Sequence, residues 1–360
     1  MSWNSDLTPQ PAENKAHPSK QNGLPTAGWD VLPVTGSPWQ WNGDYSALRT
    51  EREPPLPTDC PDECTCPPIF PRAMYCDSRR LKSIPQVPAR MKYVYLQNNQ
   101  IDAVPDGVFD NATDLVWVVL QWNKISSDKI GTNVFSKLTN LERVYLGHNN
   151  LTGIPFPLPN SLRELRVAGN KISKVQPNAL EGLDNLTMLL LNDNQLEDIG
   201  GSLKVLKSLS YLDLSNNHLK KLPEVLPDSL HQLYLDFNQI SVIPNEYFRQ
   251  FPRLQYARMS NNELTDNGIP LNTFNVSSLI ELDLSHNKLQ KIPPVNENLE
   301  NLYLHANKIK EFTVDSFCRT MGFMSFSKIQ VLRLDGNSIE QDKIPQEMHQ
   351  CLRQARIINI

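Results

Sequence analysis

The six cysteines are the residues whose chemistry constrains this 360-residue chain most strongly. They occur only towards its two ends, at Cys60, Cys64, Cys66, Cys76, Cys318 and Cys351. Such clusters of cysteines either form disulfides or bind zinc in a tetrahedral site. The Cys-x-Cys spacing without a nearby histidine is poor for zinc. An even number of cysteines on either side of a long cysteine-free stretch favours disulfides in an oxidising compartment. We therefore predict a chain without a metal or other cofactor.

Four Asn-x-Ser/Thr sequons indicate the same compartment. Each one is an acceptor for an N-linked glycan, and glycans occupy solvent-facing positions of secreted proteins. We therefore predict a secreted glycoprotein that carries glycans at Asn111, Asn150, Asn185 and Asn275.

Catalytic patterns are absent from the sequence. It contains no His-Glu-x-x-His, Gly-x-Ser-x-Gly, Walker or dinucleotide-binding motif. Asp193 and Asp198 lack the glycine and the terminal glutamate of an EF-hand calcium loop. The histidines that could act as bases lie at or beside one recurring asparagine position, which favours turn or surface roles: His148, His218, His286 and His305. We predict that the protein is not an enzyme.

That recurring asparagine belongs to a repeat, Leu-x-Leu-x-x-Asn-x-Leu, which is clearest at Leu212–Leu219. Its copies place asparagines at Asn99, Asn123, Asn149, Asn170, Asn194, Asn217, Asn238, Asn262, Asn287, Asn307 and Asn337. Spacings of 20–30 residues with this consensus are typical of leucine-rich repeats. The leucines of a short strand point inward, and the asparagine amide bonds backbone groups that the following bend leaves unpaired. The pattern predicts an α/β solenoid, a curved stack with a parallel concave β-sheet.

The segments between the strands differ in a regular way. Every third spacing is short, as between Asn149 and Asn170, so the unit is a triplet of one short and two longer repeats. Prolines such as Pro223 and Pro227 precede the short repeats and favour an extended polyproline return on the convex side. Longer repeats carry apolar pairs that favour a short helical or 3₁₀ turn: Val134-Phe135, Ala179-Leu180 and Tyr247-Phe248.

Composition and charge limit the possible partners and locations of the protein. Thirty-five basic and 39 acidic residues give a net charge of −4, which argues against nucleic acid as a partner. No apolar run is long enough to span a membrane. The polar residues 1–20 lack the apolar region of a signal peptide, so we expect Met1 to open a mature or expressed form. We predict a disordered extension at 1–59, a cysteine-rich cap at 60–90, repeats at 91–310, and an extended "ear" repeat with a C-terminal cap at 311–360.

Taken together, these features resemble class II of the small leucine-rich-repeat proteoglycans of the extracellular matrix. The resemblance covers residues 60–360 and rests on the Cys-x3-Cys-x-Cys-x9-Cys cap, the triplet of repeats, and the long interval from Asn307 to Asn337 that contains Cys318. Motifs such as Ala73–Asp77 and Val331–Asn337 are similar to those of the family. The chain departs from the family in having Tyr45 as its only tyrosine before the first cysteine. It also has Ser338-Ile339-Glu340 where the family has an acid-x-base pair.

The resemblance implies which cysteines form disulfides and which molecule the protein binds. Four N-terminal cysteines allow three pairings, and the family implies Cys60–Cys66 and Cys64–Cys76. Cys318 lies a whole solenoid away from that cap, so we expect it to pair with Cys351 and clip the ear over the end of the stack. Collagen-fibril binding, control of fibril growth, and keratan sulfate or shorter N-glycans are implied as well.

The concave sheet is the predicted working surface, because residues between the inward leucines face outward and a solenoid sheet is a long, rigid binding face. Aromatics beside charges of both signs are typical of interface hot spots. We predict contacts to fibrillar collagen at Tyr211, Asp213, Tyr234, Asp236, Tyr256, Arg258, Glu281 and Asp283. An alternative occupant of this face is a second copy of the chain, as a homodimer. The alternative function is a leucine-rich-repeat decoy or ectodomain that sequesters growth factors such as transforming growth factor-beta. We also expect Arg258→Glu to change stability by no more than roughly 0.5 kcal/mol, because it exposes no core and removes no ladder hydrogen bond.

Overall fold

The computed structural model describes residues 59–318 and 326–360. These residues belong to one compact unit, Glu53–Ile360. The predicted N-terminal extension, residues 1–59, lies outside the described residues except for Asp59. Within the described ranges, no helix has the length and apolar character that a membrane span requires.

The fold is a solenoid built on one parallel sheet. Its thirteen strands are hydrogen-bonded in chain order, each to the one before and the one after it. Each strand has three residues: β1 Ala73–Tyr75, β2 Tyr93–Tyr95, β3 Trp117–Val119, β4 Arg143–Tyr145, β5 Glu164–Arg166, β6 Met188–Leu190, β7 Tyr211–Asp213, β8 Gln232–Tyr234, β9 Tyr256–Arg258, β10 Glu281–Asp283, β11 Asn301–Tyr303, β12 Val331–Arg333 and β13 Ile357–Asn359. The predicted leucine-rich-repeat stack is therefore confirmed.

The core is a continuous column behind this sheet. The central residue of each strand from β1 to β12 points inward and is at most 1 % exposed: Met74, Val94, Val118, Val144, Leu165, Leu189, Leu212, Leu233, Ala257, Leu282, Leu302 and Leu332. Because side chains alternate along a strand, the first and third residues lie on the opposite side of the sheet. We call this side the concave face.

The asparagines form the predicted ladder. Asn217 is a representative rung: its Oδ1 accepts the backbone N–H of Leu196 at 3.0 Å, and its Nδ2 donates to the carbonyls of Leu191 and Leu214 at 3.0 Å each. One side chain thus satisfies backbone groups in two repeats that the bend would otherwise leave buried and unpaired. The residue types of the consensus follow from this geometry.

The residue before each ladder asparagine adopts a left-handed backbone conformation, which the sequence analysis did not predict. Trp122, His148, Phe237 and His286 have φ values of 53–57°. At Gly169, with φ of 66°, a Cβ atom would lie 2.4 Å from Nδ1 of His148, so a larger residue there would displace the His148 ring. The histidines singled out for possible base chemistry therefore include two turn residues.

The return segments are less helical than predicted. Of the three apolar pairs, only Tyr247-Phe248 lies in a 3₁₀ helix, and Val134-Phe135 and Ala179-Leu180 lie in hydrogen-bonded turns. All three pairs are still buried, so apolar anchoring does not require a helix. The described 3₁₀ helices are Ser127–Lys129, Ser202–Val205, Tyr247–Gln250, Asp266–Gly268, Val314–Ser316 and Gln341–Lys343, and the only described α-helix, α1, is Met348–Cys351.

Both ends of the stack are closed by disulfides. The N-terminal cap contains Cys60–Cys66 and Cys64–Cys76, and Cys318–Cys351 closes the other end. These are the pairs that the sequence analysis expected. The cap joins the sheet directly, because Thr65 forms an antiparallel bridge with Tyr75 of β1. At the C-terminus, α1 carries Cys351 and β13 completes the sheet.

Candidate functional site: the concave face

The strand register aligns the concave face into two rows. The first residues of adjacent strands are partners, as are the third residues, so Tyr211 pairs with Gln232 and Asp213 with Tyr234. Of the eight predicted contact residues, seven lie on β7–β10 in these rows. Asp236 lies two residues beyond Tyr234, after the end of β8. The fold thus brings together residues that are up to 72 positions apart in the chain (211 to 283).

Arg258 is the centre of this group. Its Nε lies 3.4 Å from Oδ2 of Asp236, and its Nη2 lies 3.8 Å from Oδ2 of Asp283. Its guanidinium carbon is 5.4 Å from the ring centroid of Tyr234, within the range of a cation–π contact. The side chain is 41 % exposed, so one edge of the guanidinium faces solvent. We call Arg258 with Asp213, Asp236, Glu281 and Asp283 the charged cluster.

Two aspartates of the charged cluster use their carboxylates in hydrogen bonds within the protein, so they are less accessible to a ligand than their strand positions suggest. Asp283 is only 7 % exposed, because its Oδ1 accepts hydrogen bonds from the backbone N–H and the hydroxyl of Ser285 at 2.9 and 2.6 Å. Asp213 bonds the N–H of Ser215 in the same way at 2.9 Å. The Asp283 carboxylate is therefore mostly buried, although Asp283 lies in an outward-facing strand position. The Asp-x-Ser spacing is the sequence signal for this inward turn of the carboxylate.

Burial perturbs the acids of the charged cluster. It raises the pKa of Asp213 to about 6, although hydrogen bonds from Ser215 oppose the rise. Burial also raises the pKa values of Asp236 and Glu281, and the Arg258 charge partly offsets this. For Arg258 itself, burial acts to lower the pKa, but the neighbouring carboxylates outweigh it and hold the pKa above its ordinary value. The cluster is negative overall and has one central cation.

Tyrosines border the charged cluster. The rings of Tyr211 and Tyr234 meet edge to face with centroids 5.3 Å apart, and the Tyr234 hydroxyl donates to Oε1 of Gln232 at 3.0 Å. Tyr211, Tyr234 and Tyr256 are all partly exposed. The predicted combination of aromatic surface and charge is therefore present on β7–β10.

A second set of aromatics on β1–β4 was not emphasised by the sequence analysis. Tyr75 and Tyr95 stack at 4.8 Å with an 8° interplanar angle. Trp117 lies edge-on to Tyr95 at 5.7 Å and to Tyr145 at 5.3 Å. We call these four residues the aromatic row. The strand positions of Tyr95, Trp117 and Tyr145 were apparent from the repeat, but Tyr75 was missed because β1 lies inside the disulfide cap.

His148, His286 and His305 pack against other aromatic rings. The ring of His148 stacks on Trp122 with centroids 3.7 Å apart, and burial lowers the His148 pKa. His286 and His305 meet edge to face at 5.2 Å. Within residues 59–318 and 326–360, no group of three or more His, Cys, Asp or Glu side chains is placed to hold a metal ion.

The four sequons differ in accessibility. Asn111 and Asn185 are exposed, whereas Asn150 and Asn275 are partly buried. The Asn150 Nδ2 donates to the Lys124 carbonyl at 3.4 Å, a weak bond on the flank of the ladder. None of the four is a ladder asparagine, so a glycan at any of them leaves the ladder intact.

Comparison with known proteins identifies the family. The N-terminal domain of leucine rich repeat proteins matches residues 59–88, and the leucine rich repeat model matches 89–151, 160–219 and 278–296. Mouse fibromodulin is 60 % identical over 307 residues, which cover 85 % of this chain and 82 % of that protein. Chicken lumican is 54 % identical over 303 residues, covering 84 % and 88 %. The chain belongs to the small leucine-rich-repeat proteoglycans.

Solved structures show how this proteoglycan chain relates to other repeat proteins. A chain in the octameric complex of Latrophilin 3, Unc5D and FLRT2 aligns with a TM-score of 0.62 at 27 % identity, covering 83 % of both chains. An internalin from Listeria monocytogenes aligns with a TM-score of 0.62 at 21 % identity, covering 79 % of each, and this likeness concerns the fold alone. The proteoglycan therefore shares its solenoid fold with distant repeat proteins.

Proposed function

We propose that the protein is a secreted matrix proteoglycan that binds fibrillar collagen through its concave face and regulates fibril assembly. The observation that carries this proposal is the charged cluster, in which a partly exposed arginine lies between carboxylates and beside a tyrosine ring. A collagen helix winds three polyproline-like chains with glycine at every third position, and its outer positions present proline rings and charged side chains. Aromatic faces suit the rings, and Arg258 with Glu281 suits charges of both signs.

The family supports the same function. The chain shares 60 % of its aligned residues with mouse fibromodulin and 54 % with chicken lumican. Disulfide caps and the two exposed sequon asparagines, Asn111 and Asn185, fit secretion. Keratan sulfate or shorter glycans would be attached outside the strands, since none of the four sequon asparagines is a strand residue. Digestion of secreted protein with an N-glycosidase should lower its mass in up to four steps.

The affinity of a single chain for one collagen helix should be moderate. Exposed charge pairs contribute only about 0–1 kcal/mol each. A fibril presents many copies of each triplet sequence, so repeated sites raise the apparent affinity without new contacts. The protein is therefore expected to be retained on fibrils far more strongly than on isolated short helices.

Binding to immobilised fibrils tests the proposal. The full secreted chain should be retained on fibrillar collagen, and it should change the lag or plateau of turbidity when collagen assembles in solution. Heat-denatured collagen, which has lost the triple helix, is the matched control and should retain less protein. If neither collagen form binds while a soluble growth factor such as transforming growth factor-beta binds tightly, the protein is a growth-factor trap and the proposal is wrong.

A further inference from the structure

The aromatic row on β1–β4 differs from the charged cluster in its chemistry. Four rings on consecutive strands are in contact, from Tyr75 through Tyr95 and Trp117 to Tyr145. Tyr145 is buried at 4 % exposure, whereas Tyr75, Tyr95 and Trp117 keep partly exposed ring surface. Tyr93, the strand partner of Trp117 on β2, is 36 % exposed. The row therefore offers a contiguous aromatic surface.

Two arginines and one glutamate lie beside the aromatic row. Arg143 lies over the Trp117 ring at 5.2 Å, and Arg166 lies over the Tyr145 ring at 4.3 Å. Both arginines pair with Glu164, at 3.3 Å from Arg143 and 2.6 Å from Arg166. The four residues of the aromatic row are themselves uncharged at neutral pH, so they offer a ligand ring surface rather than charge. An uncharged ligand with flat or puckered rings gains the stacking surface.

Unmet hydrogen-bonding groups also lie at this end of the sheet. The indole Nε1 of Trp117 is buried and has no acceptor among the described residues, and Oε1 of Gln97, two residues past Tyr95, has no donor. Buried tryptophan N–H groups usually find a partner. Both atoms are buried, so a polyproline-type chain docked on this surface meets the ring faces rather than these groups. Aromatic-lined surfaces bind such chains in several peptide-recognition domains.

We propose that the aromatic row is a subsite for uncharged, proline-rich triplets of the collagen helix, separate from the charged cluster. This inference rests on the proposed function and divides the concave face into two subsites. Strands lie about 4.8 Å apart, so the centres of β1–β4 and β7–β10, six strands apart, are separated by about 29 Å. At about 3.1 Å per residue, that distance corresponds to roughly nine residues. A ligand that engages both subsites thus carries its charged triplets about three triplets from its uncharged ones.

Two triple-helical peptides distinguish the subsites. One contains only Gly-Pro-Pro triplets, and the other has lysine- and glutamate-containing triplets in its centre. The full chain should bind the uncharged peptide with an affinity that changes less than twofold between low and high salt. Trp117→Leu, which keeps apolar bulk but removes the indole, should weaken this binding about tenfold. Arg258→Gln should weaken binding of the charged peptide more than binding of the uncharged one. Lys221→Gln, at an exposed position outside both subsites, is the control and should change the binding of neither peptide.

A second variant keeps the test interpretable if Trp117→Leu fails to fold. Tyr93→Ala removes an exposed ring without opening the core. It should weaken binding of the uncharged peptide about threefold and leave the urea midpoint unchanged. The inference is overturned if both variants are folded and bind the uncharged peptide like the wild type. It is also overturned if fibrils bind and the uncharged peptide does not, a result that leaves the proposed function standing. Failure of fibrils and both peptides to bind removes the proposed function as well.

Discussion

Arg258 should stabilise the fold as well as bind a ligand, and Arg258→Gln tests this. The residue is the only arginine or lysine for which the structure shows a salt bridge to Asp236 or Asp283, within the part of the chain described. The glutamine retains part of the aliphatic stem that packs near Tyr234 but removes the charge. The sequence-based expectation of no more than roughly 0.5 kcal/mol considered only the core and the asparagine ladder. The two carboxylate contacts, which the sequence does not show, favour a larger loss.

The expected loss follows from the distances. Two unit charges about 4 Å apart attract by about 4 kcal/mol at an effective dielectric constant of 20, whereas fully exposed pairs contribute about 0–1 kcal/mol. Arg258 is 41 % exposed and its carboxylate partners 10–13 %, so screening reduces the larger value substantially. We expect Arg258→Gln to lower the free energy of unfolding by about 2 kcal/mol at pH 7.5. Arg258→Glu, which adds a negative charge to the same carboxylates, should lower it further.

The pH dependence gives the sharper test. A carboxyl group whose pKa is raised in the folded state stabilises the fold while it is protonated, and this stability is lost as the pH rises through the folded pKa. For Asp213, with a pKa of about 6 in the fold, the loss occurs between about pH 4 and pH 6. Asp236 and Glu281 shift in the same direction. Near pH 4.5 these acids are partly neutral, so Arg258 has less charge to compensate.

Urea unfolding followed by tryptophan fluorescence at pH 7.5 and pH 4.5 measures both effects. The destabilisation by Arg258→Gln should be at least twofold larger at pH 7.5 than at pH 4.5. Lys221→Gln, at an exposed position, is the matched control and should change the midpoint at neither pH. Equal destabilisation at both pH values, or none at pH 7.5, would refute the assignment of Arg258 as the compensating charge.

Three further outcomes are expected. Asp213→Asn should remove up to about 3 kcal/mol of the fall in stability between pH 4 and pH 7, and an unchanged pH profile would exclude the raised pKa. Asn217→Ala should lower stability by about 3 kcal/mol, because it leaves buried backbone groups in two repeats unpaired, whereas the exposed Asn267→Ala should cost less than about 0.5 kcal/mol. Replacing Cys318 and Cys351 together by serine should accelerate amide hydrogen exchange after residue 326 before exchange in the central repeats changes; uniform acceleration would contradict a local clip.

The regular part of this structure was predictable because one physical constraint repeats in every turn. A leucine pattern with period two specifies which side of the strand is buried, so the rows that contain Tyr211 and Asp213 follow from the sequence. The asparagine ladder follows because each bend leaves the same backbone groups unpaired. The cap pairing came from family resemblance, since four neighbouring cysteines alone allow three arrangements.

The irregular part was less predictable because it depends on neighbours in space. Asp283 occupies an outward-facing row, yet Ser285 draws its carboxylate inward. The left-handed conformation at Trp122 and Phe237 is imposed by the turn of the repeat rather than by their own preference, since bulky residues rarely adopt it. The aromatic row required knowledge that the disulfide cap contributes the first strand. Predicting each of these features requires knowing how adjacent turns of the solenoid pack.

The most direct test of the central claim is to compare which face carries collagen binding. Equilibrium binding of the full chain to immobilised fibrillar collagen should be measured at pH 7.4 for Arg258→Gln on the concave face and Lys221→Gln on a return segment. The urea curves at pH 7.5 show whether both variants are folded without denaturant at the temperature of the binding assay. Concave binding predicts a loss of about tenfold for Arg258→Gln, larger at low salt, where exposed charges are least screened, and no change for Lys221→Gln. Normal binding by folded Arg258→Gln together with a loss for Lys221→Gln would place the collagen site on the opposite side of the solenoid.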